Sequence, residues 1–156
     1  MTGELRLIPG AVDAEPGAGL LAAMHAEVEA ICGVAPDAPH MPLAGPAELS
    51  PPHGAFLIGT IDGEPVCCGG LKRLDDRACE IKRMYVMPAA RGRGVARRLL
   101  AGLEDHARGL GYELARLDTD GRLPNAVALY ESAGYRPIPN FNGNPIATYF
   151  GEKPLR

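Results

Sequence analysis

The sequence predicts an α/β (α+β) domain, a mixed and mostly antiparallel central sheet flanked by helices. Three observations lead to that expectation. Between Ala55 and Val86, three largely apolar segments, the last carrying Ile81, Tyr85 and Val86, are joined by turn dipeptides, the pattern of an antiparallel meander. Val95, Leu99, Leu103, Ala107 and Leu110 then fall on one helical face, leaving Arg97, Arg98, Glu104 and Arg108 to the water. Leu114 to Leu117 follows as a short strand, and a strand after a helix after a strand implies a parallel crossover.

Taken in order, Leu5 to Ile8 opens the sheet, and Ala18 to Ile31 carries Leu20, Leu21, Met24, Val28 and Ile31 near helical spacing. From Cys32 to Pro52, the prolines Pro36, Pro39, Pro42, Pro46, Pro51 and Pro52 deny a regular helix or a central strand and leave a loop with short helical turns. Ala55 to Thr60 and Pro65 to Leu71 flank Asp62-Gly63, which supplies the positive φ of a tight hairpin. A turn at Asp75-Asp76 leads into Cys79 to Val86, and Pro88 ends that strand. Gly92 and Gly94 permit a tight loop before the amphipathic helix, and Gly111 is placed to cap its end. Pro124 to Ser132 reads as a helix with Pro124 in its first turn and Gly134 just past its end. Tyr135 to Ile138 and Ala147 to Lys153 close the sheet around a turn-rich stretch from Pro139 to Pro145. With no repeat, low-complexity tail or linker, residues 1–156 are expected to form one domain.

A chain of 156 residues is long enough to enclose a core with a cleft beside it. Its 46% hydrophobic and 22% charged residues are ordinary for a soluble globular protein, and no apolar run approaches the roughly 20 residues of a membrane helix. Met1 to Pro9 lacks the basic-then-apolar order of a secretion signal, so the expected location is cytoplasmic. A net charge of −3 opposes broad nucleic-acid binding, which needs a basic surface, so any positive site must be local. Cys32, Cys67, Cys68 and Cys79 form no C-x-x-C pair and are expected as free buried thiols, Cys67 and Cys68 pointing to opposite faces of one strand. His25, His40, His53 and His106 show no H-x-x-x-H or H-x-E spacing, so no metal is expected.

The most informative stretch is Val86-Met87-Pro88-Ala89-Ala90-Arg91-Gly92-Arg93-Gly94-Val95-Ala96, which joins strand to helix through glycines and arginines. Small residues let backbone N–H groups converge on an anion, and the unpaired donors and dipole of a helix N-terminus favour negative charge there. A nucleoside triphosphate loop would need a Lys after its second Gly, and none is present. A dinucleotide fingerprint would need Gly or Ala where Arg97 stands. Arg-Gly boxes that bind RNA recur in disordered tracts, whereas this one is a single turn between two elements.

Ile81-Lys82-Arg83-Met84-Tyr85-Val86-Met87-Pro88 through the loop to Leu99-Leu100 resembles the central motif of the GNAT N-acetyltransferases. Within it, Arg91-Gly92-Arg93-Gly94-Val95-Ala96 matches the family's [Q/R]-x-x-G-x-[G/A] pattern, and Ala126 to Tyr135 resembles the family's second motif. The resemblance spans about Glu80 to Tyr135 and implies a sheet splayed between its fourth and fifth strands to admit a pantetheine arm. It further implies acetyl-CoA as co-substrate, its pyrophosphate on Arg91, Gly92, Arg93, Gly94, Val95 and Ala96, and its pantetheine along Met84, Tyr85 and Val86. Relatives often carry Asn or Gln seven residues before the Tyr; this chain has Leu123 there, and Asn125 is the nearby substitute.

The same resemblance implies catalytic roles for two residues. Tyr130 occupies the tyrosine of the family's L-Y-E segment and would protonate the departing thiolate, although its ring could equally cover the apolar helix face near Leu123, Ala126 and Val127. Glu80 matches, counted back from Arg91, the position where some members place a general base; the alternative is a solvated carboxylate paired with Lys82. Asn140, Asn142 and Asn144 could line a substrate pocket or simply build the turn with Gly143 and Pro145. The expectation is acetyl transfer to an amine, preferably of a small molecule, by direct attack in a ternary complex, without metal or covalent enzyme intermediate. A protein amine and a non-catalytic acyl-CoA-binding module are the alternatives. A homodimer is compatible with the chain.

Overall fold

A computed structural model describes residues 2–33, 44–123 and 125–156. Pro36, Pro39, His40, Pro42 and Pro124, to which the sequence assigned loop and helix-start roles or a non-metal histidine, lie outside the described residues. The elements are β1 (Leu5–Pro9), α1 (Gly17–Cys32), β2 (Ala55–Ile61), β3 (Glu64–Arg73), β4 (Ala78–Val86), α2 (Val95–Gly109), β5 (Leu114–Thr119), α3 (Ala126–Ser132), β6 (Arg136–Pro137) and β7 (Tyr149–Pro154), with a short 3-10 turn at Pro88–Ala90. The strands form one sheet in the order β1-β2-β3-β4-β5-β7-β6.

The meander follows its turn chemistry. Asp62 and Gly63 take φ of 52° and 80°, the two successive positive values that a tight hairpin between β2 and β3 requires. At the next turn the Asp75 carboxylate accepts the backbone N–H groups of Arg77 and Ala78 at 2.8 and 2.9 Å, closing the chain into β4. Pairing is antiparallel from β1 to β4 and again across β5, β7 and β6. β4 and β5 are parallel and pair only at Ala78, Cys79 and Glu80 against Leu114, Ala115 and Arg116. Beyond Glu80 the two strands part, and the sheet opens toward the C-terminal end of β4.

Each face of the sheet has its own core. α2 buries Val95, Leu99, Leu100, Leu103 and Ala107 in a cluster that includes Leu57, Val66, Cys67, Ile81 and Leu117. Each fully buried Leu contributes about 1.5–3 kcal/mol, which holds this helix against the sheet. α1 places Leu20 and Leu21 with Phe56, Ile58, Cys68 and Tyr85 on the other face. Cys67 and Cys68 thus belong to different clusters, as strand alternation requires, and the four cysteines are free and buried.

One irregularity interrupts the ladder between β3 and β4. Gly70 pairs with Lys82 and Cys68 with Tyr85, so Gly69 faces two residues, Arg83 and Met84. The bulge sets Arg83 at φ 59°. A Cβ at Gly69 would lie 2.8 Å from Leu103 Cδ1 and 3.2 Å from Met84 Cγ, so only glycine lets α2 seat this closely over the bulge.

Two expectations need correction. Glu104 is not on the wet face of α2: it is 4% exposed, accepts the Tyr135 hydroxyl at 2.9 Å and pairs with Lys153 Nζ at 2.9 Å. Its two partners come from the chain's last third, beyond the reach of helical periodicity. β6 is also shorter than Tyr135 to Ile138, and β7 lies between it and β5.

Candidate functional site

The opening beside β4 holds a cavity of about 420 Å³. Met84, Tyr85 and Val86 form one side, the turn and first residues of α2 form the floor, and Leu129 and Tyr130 of α3 stand opposite, with Met24 and Val28 of α1 above. Arg91, Gly92, Gly94, Val95, Ala96 and Asn125 all line it, while Arg93 does not.

The floor is built from backbone. Gly92 and Gly94 sit at φ 78° and 74°, and a Cβ at either would meet nothing within 4 Å, so each turns an open side to its surroundings. Gly94 is also the N-cap of α2 and offers no side chain to satisfy the first N–H groups of the helix. Those donors have no intrahelical partner and face a cavity wall, an arrangement suited to an anion.

The arginines divide. Arg91 donates from Nε to the Val86 carbonyl at 2.8 Å, and its Nη2 contacts both Glu27 carboxylate oxygens at 2.9 and 2.8 Å. Its guanidinium also lies 5.7 Å from the centre of the Tyr85 ring. Arg91 therefore fastens the loop to α1 and keeps little unneutralised charge. Arg97 is exposed, as expected, and at the cavity's edge it donates to the Ser132 hydroxyl.

Tyr130 is 9% exposed and meets the Tyr135 ring edge-on, with centroids 6.0 Å apart. Burial first, and the Asp118 carboxylate second, push its phenol up to about 12, so it is protonated throughout the neutral range. It packs against Tyr135 and also lines the cavity.

A second cavity, of about 220 Å³, shares Met24, Val28, Met84, Thr119, Leu123 and Tyr130 with the first. The rest of its lining includes His25, Arg83, Asp118, Asp120 and Asn144, of which the sequence suggested a place in a pocket only for Asn144. They come from α1, β4, the end of β5 and the turn before β7, and no single stretch of sequence carries a signal for them.

Glu80 is 1% exposed, so the solvated alternative does not hold. Its Oε2 accepts Asn142 Nδ2 at 2.8 Å and Lys82 Nζ at 3.4 Å. Asn142 Nδ2 also donates to Asp118 Oδ2 at 2.7 Å, and Asn144 Nδ2 reaches the same oxygen at 3.1 Å. Glu80 thus stands one amide behind Asp118 and outside the lining of either cavity. Asn140 Oδ1 accepts the N–H of Asn142 and Gly143 within the turn, and Asn144 lines the second cavity.

The remaining thiols are chemically quiet. Burial pushes Cys67 up to about 11 and Cys68 and Cys79 up to about 12, so each is a thiol at neutral pH. Among the described residues, no cluster of His, Cys, Asp and Glu could hold a metal, and no helix is long and apolar enough to cross a membrane.

Residues 23–135 match the sequence profile of the Acetyltransferase (GNAT) family. The chain is similar to the uncharacterised N-acetyltransferase YjgM of Escherichia coli, 36% identical over 57% of this chain, and the match spans 55% of that relative's length. It is similar also to the N-alpha-acetyltransferase RimI of Mycobacterium tuberculosis, 38% identical over 72% of this chain and 71% of the relative. A crystal structure assigned to an acyl-CoA N-acyltransferase of Klebsiella pneumoniae superposes with a TM-score of 0.79 at 28% identity, covering 97% of this chain and 98% of that one.

Proposed function

The chain belongs to the Acetyltransferase (GNAT) family, and from that premise we propose that it moves an acetyl group from acetyl-CoA to the amine of a small molecule, all of residues 1–156 acting as one domain. The observation that supports this reading is the junction of the two cavities at Met84 and Tyr130. One cavity is floored by the glycine turn and the start of α2, the other is smaller and less apolar, and a thioester threaded from the first would present its carbonyl to the second.

In this reading the N–H groups of Arg91 to Ala96 hold the pyrophosphate, with Arg93 contributing through its backbone. The strand edge of Met84, Tyr85 and Val86 lies along the pantetheine, and Asn125 supplies a polar contact near Leu123. Transfer is direct. The neutral amine nitrogen attacks the thioester carbonyl carbon, the C–N bond forms, and the tetrahedral intermediate collapses by breaking the C–S bond. Tyr130 gives its proton to the leaving sulfur and recovers one from solvent. A phenol near 12 would be a poor donor to a solvated thiolate, whose conjugate acid lies near 8.5. The same burial raises the sulfur's basicity as well, which brings donor and acceptor back toward each other. Glu80 takes the proton lost by the ammonium through a water, with Asn142 orienting its carboxylate.

A protein amine is the second reading, carried by the N-alpha-acetyltransferase name of the Mycobacterium tuberculosis relative. Acetyl-CoA consumption measured across amino acids, polyamines, aminoglycosides and peptides tests both. Turnover confined to peptides would move the acceptor to the second class. Acetyl-CoA binding without turnover on any amine would leave an acyl-CoA-binding module.

A further inference from the structure

The second cavity contains two charged groups of opposite sign that no neighbour among the described residues neutralises. Arg83, on the β4 bulge, contacts only neutral partners among those residues: the His25 imidazole at 3.1 Å and the Ala44 carbonyl at 3.1 Å. Its Nε is buried and has no hydrogen-bond partner among the described residues. A buried donor left unsatisfied costs about 1–3 kcal/mol, and a guanidinium in that state calls for an anion.

Asp118, from the end of β5, lines the same cavity. One of its oxygens accepts the neutral amides of Asn142 and Asn144, and no cation pairs with it among the described residues. The neighbouring Asp120 is by contrast satisfied, held by Arg122 Nη2 at 2.6 Å. Arg83 and Asp118 line one cavity and form no ion pair with each other among the described residues, which leaves both charges to a ligand bound there. Asp118 acts on Tyr130, the residue shared with the cofactor cavity, which places the anionic group beside the reacting end.

Resting on the acetyltransferase reading, we propose that the acceptor is a small zwitterion of the amino-acid type, its carboxylate held by Arg83 and its amine directed by Asp118 toward the thioester. A cavity of about 220 Å³ suits a single such unit, below the roughly 300–1,000 Å³ usual for drug-sized ligands. A peptide N-terminus lacks the adjacent carboxylate and would leave Arg83 unsatisfied, as would a polyamine.

The test is a matched series on the wild-type protein: each amino acid beside its carboxamide and its decarboxylated amine, with kcat/KM measured at saturating acetyl-CoA. A site built to bind a group rejects the analogue lacking it strongly, so the acid should exceed both analogues by on the order of 100-fold or more. Arg83→Gln should erase that preference, chiefly through KM, while the acetyl-CoA-induced rise in Tm stays unchanged. Asp118→Asn should raise KM for the acid. If Arg83→Gln does not fold, the wild-type series alone decides. Equal use of acid and analogues, or of amines only, overturns this proposal and leaves acetyl transfer standing. If acetyl-CoA neither binds nor is consumed, acetyl transfer falls and this proposal falls with it.

Discussion

The floor of the larger cavity is drawn from one short stretch, Ala90 to Arg97, whereas the smaller cavity collects its polar groups from α1, β4, the end of β5 and the turn before β7. The first uses backbone N–H groups and glycines; the second uses side chains of both signs. A backbone site is as general as the phosphate it faces, and it needs only a strand, a tight loop and a helix start. A side-chain site assembled over long range can be altered residue by residue without disturbing its neighbour. In the proposed reading, donor recognition is thus local and acceptor recognition is distributed.

The largest effect expected from this contrast is at Gly94. Gly94→Glu places a charged side chain at the floor and should abolish the acetyl-CoA-induced rise in Tm, which follows from selective binding to the folded state. Gly94→Ala is the control: its methyl enters open space at φ 74°, so it should cost about 1–2 kcal/mol of stability as left-handed strain and keep a Tm response. A folded Gly94→Glu protein with unaltered response would break the division between the two sites.

Next comes Tyr130, at the border. Tyr130→Phe should retain acetyl-CoA binding and lose on the order of 10- to 1,000-fold in kcat. Because the phenol is pushed up to about 12, its ionisation removes no activity below about pH 11, and a wild-type pH profile should show no Tyr130 decline before that. Wild-type turnover in the variant would make Tyr130 a packing residue only.

A smaller, pH-dependent effect should belong to Glu80. Glu80→Gln should slow transfer by about 10-fold near neutral pH, where alkyl amines arrive protonated, and the deficit should shrink as alkaline solvent deprotonates them. A deficit that is constant with pH and confined to KM would reassign Glu80 to orienting Asn142 and Asp118.

The smallest effect is on stability. Hydrogen bonding from Arg122 lowers Asp120 to about 2, from an ordinary value near 3.9. A depressed folded value stabilises the protein above about pH 4, and that contribution is lost as pH falls through 2. With Arg122 half exposed, it should amount to about 1 kcal/mol. Urea titrations of wild type and Arg122→Ala should therefore differ at pH 5 and converge near pH 2; a gap that persists at pH 2 would have another origin.

Much of this molecule is legible in its sequence. The hairpin at Asp62-Gly63, the glycine turn before α2 and the apolar face of that helix depend on neighbours within a few residues, and local chemistry wrote them into adjacent letters. The opposite faces of Cys67 and Cys68 followed from strand alternation alone. What tertiary structure decided has partners far away in sequence. Glu104 looks wet until Tyr135 and Lys153 close over it, and Glu80 looks like an exposed strand start until the turn at Asn142, 62 residues later, buries it. Arg83 and Asp118 reach one cavity from β4 and β5, which pair for only three residues. A period of two or 3.6 residues shows which side of an element is apolar, but the burial of a charge depends on which distant group arrives to meet it.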